Sequence, residues 1–343
     1  MKIKSTAPKG VQRRDFLKLS LAGGAAAAGL GIAAPALAQG VKTLRFGHMM
    51  PNDNVYHRAI VMFADEVNKL SDKKIKIDIY PASQLGTIAE MLQSVQAGSL
   101  TMSMAVPAWY SNHMKPVDAF TLPYLVSSAD KLKAGLDGKL GREVERMGEG
   151  VGFKIFGYWL LGSRHIVNKV RAVNKPEDCK GLKVRVINSQ VYMQTFRALG
   201  CNPVAMDPSE LYLAMQQGVI DGFEYPLPDL LVFKLNEVSK FISLDAHTTD
   251  FFLISTSPKN WAAFSAEEQA IMQKAMKTAM DWQWKAQPED INNALAKLKT
   301  LLAVNEISPE NKKLFVEATL PVHKQFESSI GREFLELAIK ELA

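Results

Sequence analysis

The segment KIKIDIY, residues 74–80, alternates apolar and polar side chains at every step, which predicts a half-buried strand. Before it, KTLRFGHM (42–49) predicts a strand, broken at Pro51–Asn52. A helix follows over 55–70, because Ile60, Phe63, Ala64, Val67 and Leu70 recur at helical spacing on one face. A helix over 87–97 is stopped by Gly98, and LTMSMAVP (100–107) reads as the next strand. Strand–helix–strand–helix–strand implies a doubly wound α/β unit.

The same grammar returns downstream. GFKIFGYWLL and HIVNK read as strands that cross between two lobes. GLKVRV (181–186) places Leu182, Val184 and Val186 on one face, with Lys183 and Arg185 on the other. A helix near 189–199 and a strand NPVAM (202–206) follow. In DPSELYLAMQQG, Asp207 is placed to cap a helix, Pro208 occupies its first position, Glu210 has capping-box spacing and Gly218 stops it. VIDGFEY and FFLISTS (251–257) predict further strands. Ser265 and Glu268 open a long helical region to 303, bent at Pro288, and the tail is helical over 309–342.

The first 38 residues do not fit this pattern. Arg13–Arg14, then Phe16–Leu17–Lys18, an Ala/Gly-rich apolar stretch and Ala36–Leu37–Ala38 read as a cleaved export signal of the twin-arginine type. The competing reading, an uncleaved anchor, is weak because Ala and Gly contribute little transfer energy. The leader holds six basic residues (Lys2, Lys4, Lys9, Arg13, Arg14, Lys18) and one acid (Asp15), out of 41 and 35 in the chain. The remainder therefore has 35 basic and 34 acidic residues, a net of +1, which gives no footprint for nucleic acid or an anionic membrane. No later segment is long and apolar enough for membrane insertion. The roughly 305 residues left exceed a usual single core and imply two lobes.

Two cysteines remain, Cys179 and Cys201, each just ahead of a predicted strand. If those strands are parallel neighbours, a disulfide closing a loop of about 22 residues fits, worth about 3 kcal/mol; two buried thiols is the alternative. The six histidines form no metal-ligand spacing, and there is no GxSxG elbow, P-loop or CxxC. Gly29-x-Gly31-x-x-Ala34 imitates a dinucleotide fingerprint, but it lies in the leader with no preceding strand. Nothing calls for an enzyme or a cofactor.

The ordered set LRFGHMMPNDNVYHRA, FADEVNKLS, IDIYPASQLG, FTLPYL and GLKVRVINSQVY…ALGCNPVAMDPSELYLAMQQGVIDGFEYPL resembles the DctP-type solute-binding proteins of tripartite ATP-independent periplasmic (TRAP) transporters. The resemblance spans the chain beyond the leader. It implies a two-lobe α/β periplasmic binding protein fold with doubly wound sheets, its lobes joined by crossing strands and a long helix. The divisions expected are lobe I (41–161 plus 250–288), lobe II (162–249 plus 289–320) and a C-terminal helix (321–343). It also implies a periplasmic protein that captures an organic acid between the lobes and delivers it to TRAP membrane subunits.

By resemblance Arg185 is the ligand-carboxylate clamp, and its place near a strand's carboxyl end agrees with where open α/β sheets bind ligands. Arg164 matches a second cleft arginine and Asn188 a polar cleft position; a hinge residue and a helix cap are the structural alternatives. Glu224–Tyr225–Pro226 replaces a common Glu-Asn-Pro, so a phenol stands where an amide contacts ligand. Val106 and Trp109 stand where sialic-acid binders carry a glutamate and an arginine. Unpaired ligand hydroxyls would cost roughly 1–3 kcal/mol each there, which favours a smaller or less polar carboxylate, aromatic or branched. His48 ends the first strand and is a weaker candidate. Beyond Glu224 there is no carboxylate cluster for a cation beside the clamp, so no metal is expected. A ligand sensor for a signalling receptor, or an exported enzyme using His165 beside Arg164, are the competing classes.

Overall fold

The computed structural model describes residues 40–343; the leader lies outside the described residues. Among these, nine strands form one mixed sheet: β1 (Lys42–Gly47), β2 (Ile75–Tyr80), β3 (Met102–Ala105), β4 (Lys154–Asn168), β5 (Lys183–Val186), β6 (Asn202–Ala205), β7 (Gly222–Pro226), β8 (Phe241–Thr256) and β9 (Ala303–Glu306). Their order is β2-β1-β3-β8-β4-β7-β5-β6, with β9 also on β8.

Two parallel groups occupy the ends of this order. β1 pairs with β2 on one side and β3 on the other. β5 pairs in the same way with β6 and β7. Strand order therefore reverses at β1 and again at β5, which makes each a topological switch point. The connecting helices form for local reasons. In helix Val55–Leu70, Asn54 accepts from the His57 amide at 2.8 Å, and Ile60, Phe63, Ala64 and Val67 are buried, with Leu70 half-buried. Helix Ile88–Gln96 starts with a capping box between Thr87 and Glu90. After β6, Asp207 accepts from the Ser209 amide at 3.0 Å, but the first turn, Pro208–Glu210, is a tight 3₁₀ turn rather than a capping box. Helix Leu211–Gln217 then ends at Gly218, φ 75°.

The two groups are joined by β4 and β8, 15 and 16 residues long and antiparallel throughout. One half of their ladder lies beside β3 and the other beside β7. Register shifts at Leu160/Gly162 and Arg164/Ile166 mark the passage between halves. Gly162 takes φ +106°, and a Cβ there would meet Ile291 Cδ1 at 2.7 Å. The sequence reading of two strands on either side of 162 is thus one strand with an irregular middle.

Helix Ala266–Leu298 spans both halves. Its Met272, Ala275 and Met276 pack in one cluster with Phe63 and Ile254, and its Ala294 and Leu298 in another with Phe223 and Ile242. The helix runs unbroken through Pro288. The missing amide of Pro288 is offset by side-chain bonds that fasten the preceding turn to β4. Gln283 bonds both backbone groups of Leu160, at 2.9 and 2.7 Å, and Trp284 Nε1 donates to Tyr158 O at 2.8 Å. Gln287 donates to Leu161 O at 3.0 Å. The tail is divided not at 321 but at Gly331, φ +87°, between helices Pro309–Ile330 and Arg332–Leu342.

β5 and β6 are parallel neighbours as expected, yet Cys179 and Cys201 are free, buried thiols. The Cys201 thiol is turned to the Cys179 carbonyl oxygen at 3.4 Å, so the expected disulfide is corrected to two packed thiols.

Candidate functional site

β5 ends under the junction of the two halves, and its second face changes character along its length. Lys183 is exposed, whereas Arg185 has no accessible surface. Burial pulls the Arg185 pKa below its ordinary value, Tyr225 and Glu224 opposing the shift only in part. Its Nε and Nη2 both donate to the Met206 carbonyl, at 2.9 and 2.7 Å. Nη1 has no hydrogen-bond partner, and Glu224 Oε1 stands 3.9 Å from it. Nη2 carries a second hydrogen, so the terminal edge of the guanidinium remains able to take a carboxylate in fork geometry.

Arg164, on β4, is differently placed. It is 3% exposed, and its Nε bonds Glu224 Oε2. Nη2 bonds Glu224 Oε1 at 3.1 Å and Nη1 bonds Asp250 Oδ2 at 3.2 Å. Burial opposes the Arg164 charge, but Glu224, Tyr192 and Asp250 outweigh it and raise the pKa. Glu224 shows the same contest: burial would raise it, and Arg164 with His247 hold it below the ordinary carboxylate value. For Asp250 burial wins, and its pKa is pushed up to about 6. Tyr225 lies beside both guanidiniums, 5.3 Å from Arg164 and 5.9 Å from Arg185 to its ring centre.

Arg164, Arg185, Tyr225, Val106 and Trp109 line one small cavity together with Asp229. Met49, Ile88, Leu161, Ile187 and Phe252 complete most of its apolar wall. Its volume is about 20 Å³, room for about one water as the halves stand. Glu224 lies behind the wall, on Arg164. Two expected residues lie elsewhere. Asn188 is exposed, and its neighbour Ile187 faces the cavity instead; nor does it cap the following helix, whose cap position is Ser189. His48 is buried with its Nε2 3.2 Å from His57 Nδ1, and burial lowers its pKa to about 3; Met49 is what reaches the cavity. A larger groove, about 600 Å³, lies on the other face of β4, where His165 rather than Arg164 points. Its one amine, Lys312, donates to the carbonyls of Asp245 and Ala246, so the groove offers no guanidinium fork for a carboxylate.

Sequence reasoning missed Asp229, Asp250 and the Asp245–His247 pair, 2.8 Å apart and fully buried. A signal for Asp229 existed: it is a single acid inside the apolar run Leu227–Val232.

The description of bacterial extracellular solute-binding protein family 7 (DctP) matches residues 46–329. The chain belongs to this family. Relatives of this family 7 protein include the sialic acid-binding periplasmic protein SiaP of Vibrio cholerae, 29% identical over 307 residues, 88% of this chain and 94% of that one. Among solved structures, the sugar acid binding protein DctPAm of Advenella mimigardefordensis in complex with galactonate has a TM-score of 0.86 at 28% identity, covering 88% of this chain and 98% of that one. A TRAP periplasmic solute-binding protein from Sulfurospirillum deleyianum with bound succinate has a TM-score of 0.84 at 27% identity, covering 89% and 100%.

In this family 7 chain the cavity's charges depend on His247. Burial opposes its proton, but Asp245 and Glu224 raise its pKa to about 9. A raised folded pKa contributes stability that is whole below the ordinary value near 6.5 and is lost as pH rises through 9. His247→Asn should therefore melt below wild type at pH 6, with the gap closing by pH 10. A gap independent of pH would refute a charged His247.

Proposed function

We propose that this chain is an exported, periplasmic TRAP solute-binding protein that captures an organic acid between two lobes and presents it to membrane subunits. The observation that carries this reading is Arg185 Nη1, buried without a hydrogen-bond partner on a residue that lines a small, largely apolar cavity at a switch-point strand. A buried cation without an acceptor is costly and is relieved by an anion that brings one. The leader supports export by the twin-arginine route. Lobe boundaries near 161/162 and 249/250 coincide with the register shift in β4 and β8. With so small a closed volume, entry requires the lobes to part, and closure then excludes water around the new ion pair.

The wall supports a choice among acids. Val106 and Trp109 offer few partners for hydroxyl groups, and Tyr225 presents a flat ring, so the ligand is a small, less polar monocarboxylate, branched or aromatic. No chemistry on the ligand is part of this reading. A thermal-shift panel of organic acids tests it. Aliphatic or aromatic monocarboxylates should raise Tm and be recovered unchanged. Shifts confined to sugar acids would refute the ligand class, and a panel without any acid response would refute carboxylate capture.

A further inference from the structure

Asp229 opens the helix Leu227–Val232 that follows β7, and its side chain enters the same cavity as the free edge of Arg185. It is 2% exposed, and its Oδ1 is buried without a hydrogen-bond partner. A carboxylate so placed has no protein donor on that oxygen to stabilise its charge. The groups facing it are Arg164 from β4, Asp250 from β8, Asp290 from the long helix, and the Tyr56 and Tyr225 phenols. Of the charges that act on it most strongly, one is a cation, itself held by Glu224 and Asp250, and two are carboxyl groups.

We propose that Asp229 is a second recognition residue of this cavity, a neutral carboxyl group that donates its O–H to the captured organic anion, so that capture draws in a proton. The inference rests on the reading of the cavity as a carboxylate site and deepens it. Burial, opposed by Arg164 and assisted by Asp290 and Asp250, pushes the Asp229 pKa up to about 8. An arriving anion is a like charge and raises it further. Molecules with Asp229 ionised take one proton from solvent as the anion binds, giving a protonated Asp229 beside the bound anion. Neutral Asp229 also suits the innermost charges: Arg164, Arg185 and His247 face Glu224, Asp245 and Asp250, with the half-buried Asp290 farther out. The loaded cavity then holds one fewer negative charge than it would with Asp229 ionised. A monoanion is favoured over a dianion on the same count.

The probe is acetate, the smallest carboxylate with an apolar end, read through fluorescence of Trp109 in the cavity wall and checked by calorimetry. Below the titration of His247 near pH 9, wild type should bind acetate about fourfold more weakly at pH 8.5 than at pH 6.5. Calorimetry at pH 8.5 in phosphate and in Tris should differ by the buffers' ionisation heats, in the direction of proton uptake. Asp229→Asn should bind at pH 6.5 and lose most of this pH dependence. A wild-type profile that is flat from 6.5 to 8.5, or an Asp229→Asn variant that keeps the slope, overturns the proposal while leaving carboxylate capture intact. Absence of any acetate response removable by Arg185→Met overturns capture and the proposal with it. A second readout needs no anion. Raised in the folded state from an ordinary 3.8 to about 8, the Asp229 pKa implies stability that is whole below 3.8 and is lost progressively until pH passes 8. Asp229→Asn should gain Tm over wild type from pH 5 to 8.5, and parallel melting curves refute a neutral Asp229.

Discussion

Arg185→Met is expected to abolish anion binding while leaving Tm within about 2 °C of wild type, or above it. The two effects share one cause. The guanidinium is fully buried, rests on a single carbonyl oxygen and keeps Glu224 at 3.9 Å. Removing an ion from water costs several kcal/mol even after relaxation, and replacing a poorly compensated ion by an apolar side chain of similar volume is often neutral or stabilising. Methionine leaves the Met206 carbonyl short of a donor, a loss of about 1 kcal/mol, against relief of that desolvation. Binding loses the whole charge-assisted fork. Truncating such a partner costs about 2–5 kcal/mol, or roughly 30- to 5000-fold in Kd. Arg185→Lys keeps the charge but not the fork, and affinity should fall more than about tenfold. Titration with an acid active in the thermal-shift panel, beside melts of the free variants, measures both. Unchanged affinity in Arg185→Lys would argue against bidentate capture; a collapse of Tm in Arg185→Met would make this arginine structural.

Arg164→Met is expected to do the opposite to stability. Here the guanidinium is the shared counter-ion of two buried carboxylates, Glu224 and Asp250. Deleting it leaves Asp250 without a cation and Glu224 with only the more distant Arg185 and His247, at 3.9 and 3.7 Å, and breaking a buried pair in this way costs about 3–5 kcal/mol. Because Tm moves by about 2–4 °C per kcal/mol in large domains, the loss should be about 6–20 °C. The double variant Arg164→Met/Glu224→Gln should recover part of it, since one orphaned charge is gone; a double-mutant cycle reports the coupling. Strict additivity of the two changes would show that the pair does not act as a unit.

The contrast between these arginines also marks the limit of what the sequence could tell. The place of Arg185 was legible because a strict alternation in GLKVRV set its face; its clamp role is what the family resemblance implies. The helix at about 55–70 was legible, since its apolar stripe is the face that packs inward. The first ten residues of β8 were not. Phe241–Asp250 reads FISLDAHTTD, with Asp245, His247 and Asp250 where a buried strand would carry apolar residues. Those polar side chains are buried because Asp245 and His247 pair with each other and all three meet groups on other strands, Ile166 N, Glu224 and Arg164, a long-range condition that no local period records. Asn188 failed for a related reason. A one-residue difference along an extended chain turns a side chain outward, and Ile187 took the inward place.

The long pair β4 and β8 has a further consequence for biosynthesis. The edge formed by β3 is completed by Leu253–Ser255, residues made only after the entire β5–β7 group. Neither half is a contiguous piece of polypeptide, so the amino-terminal half cannot be finished on the ribosome ahead of the other. The chain must close a loop of about 150 residues before its first three strands gain their last neighbour, a slow, high-contact-order step. A route that exports only finished proteins would give that step time to end inside the cell.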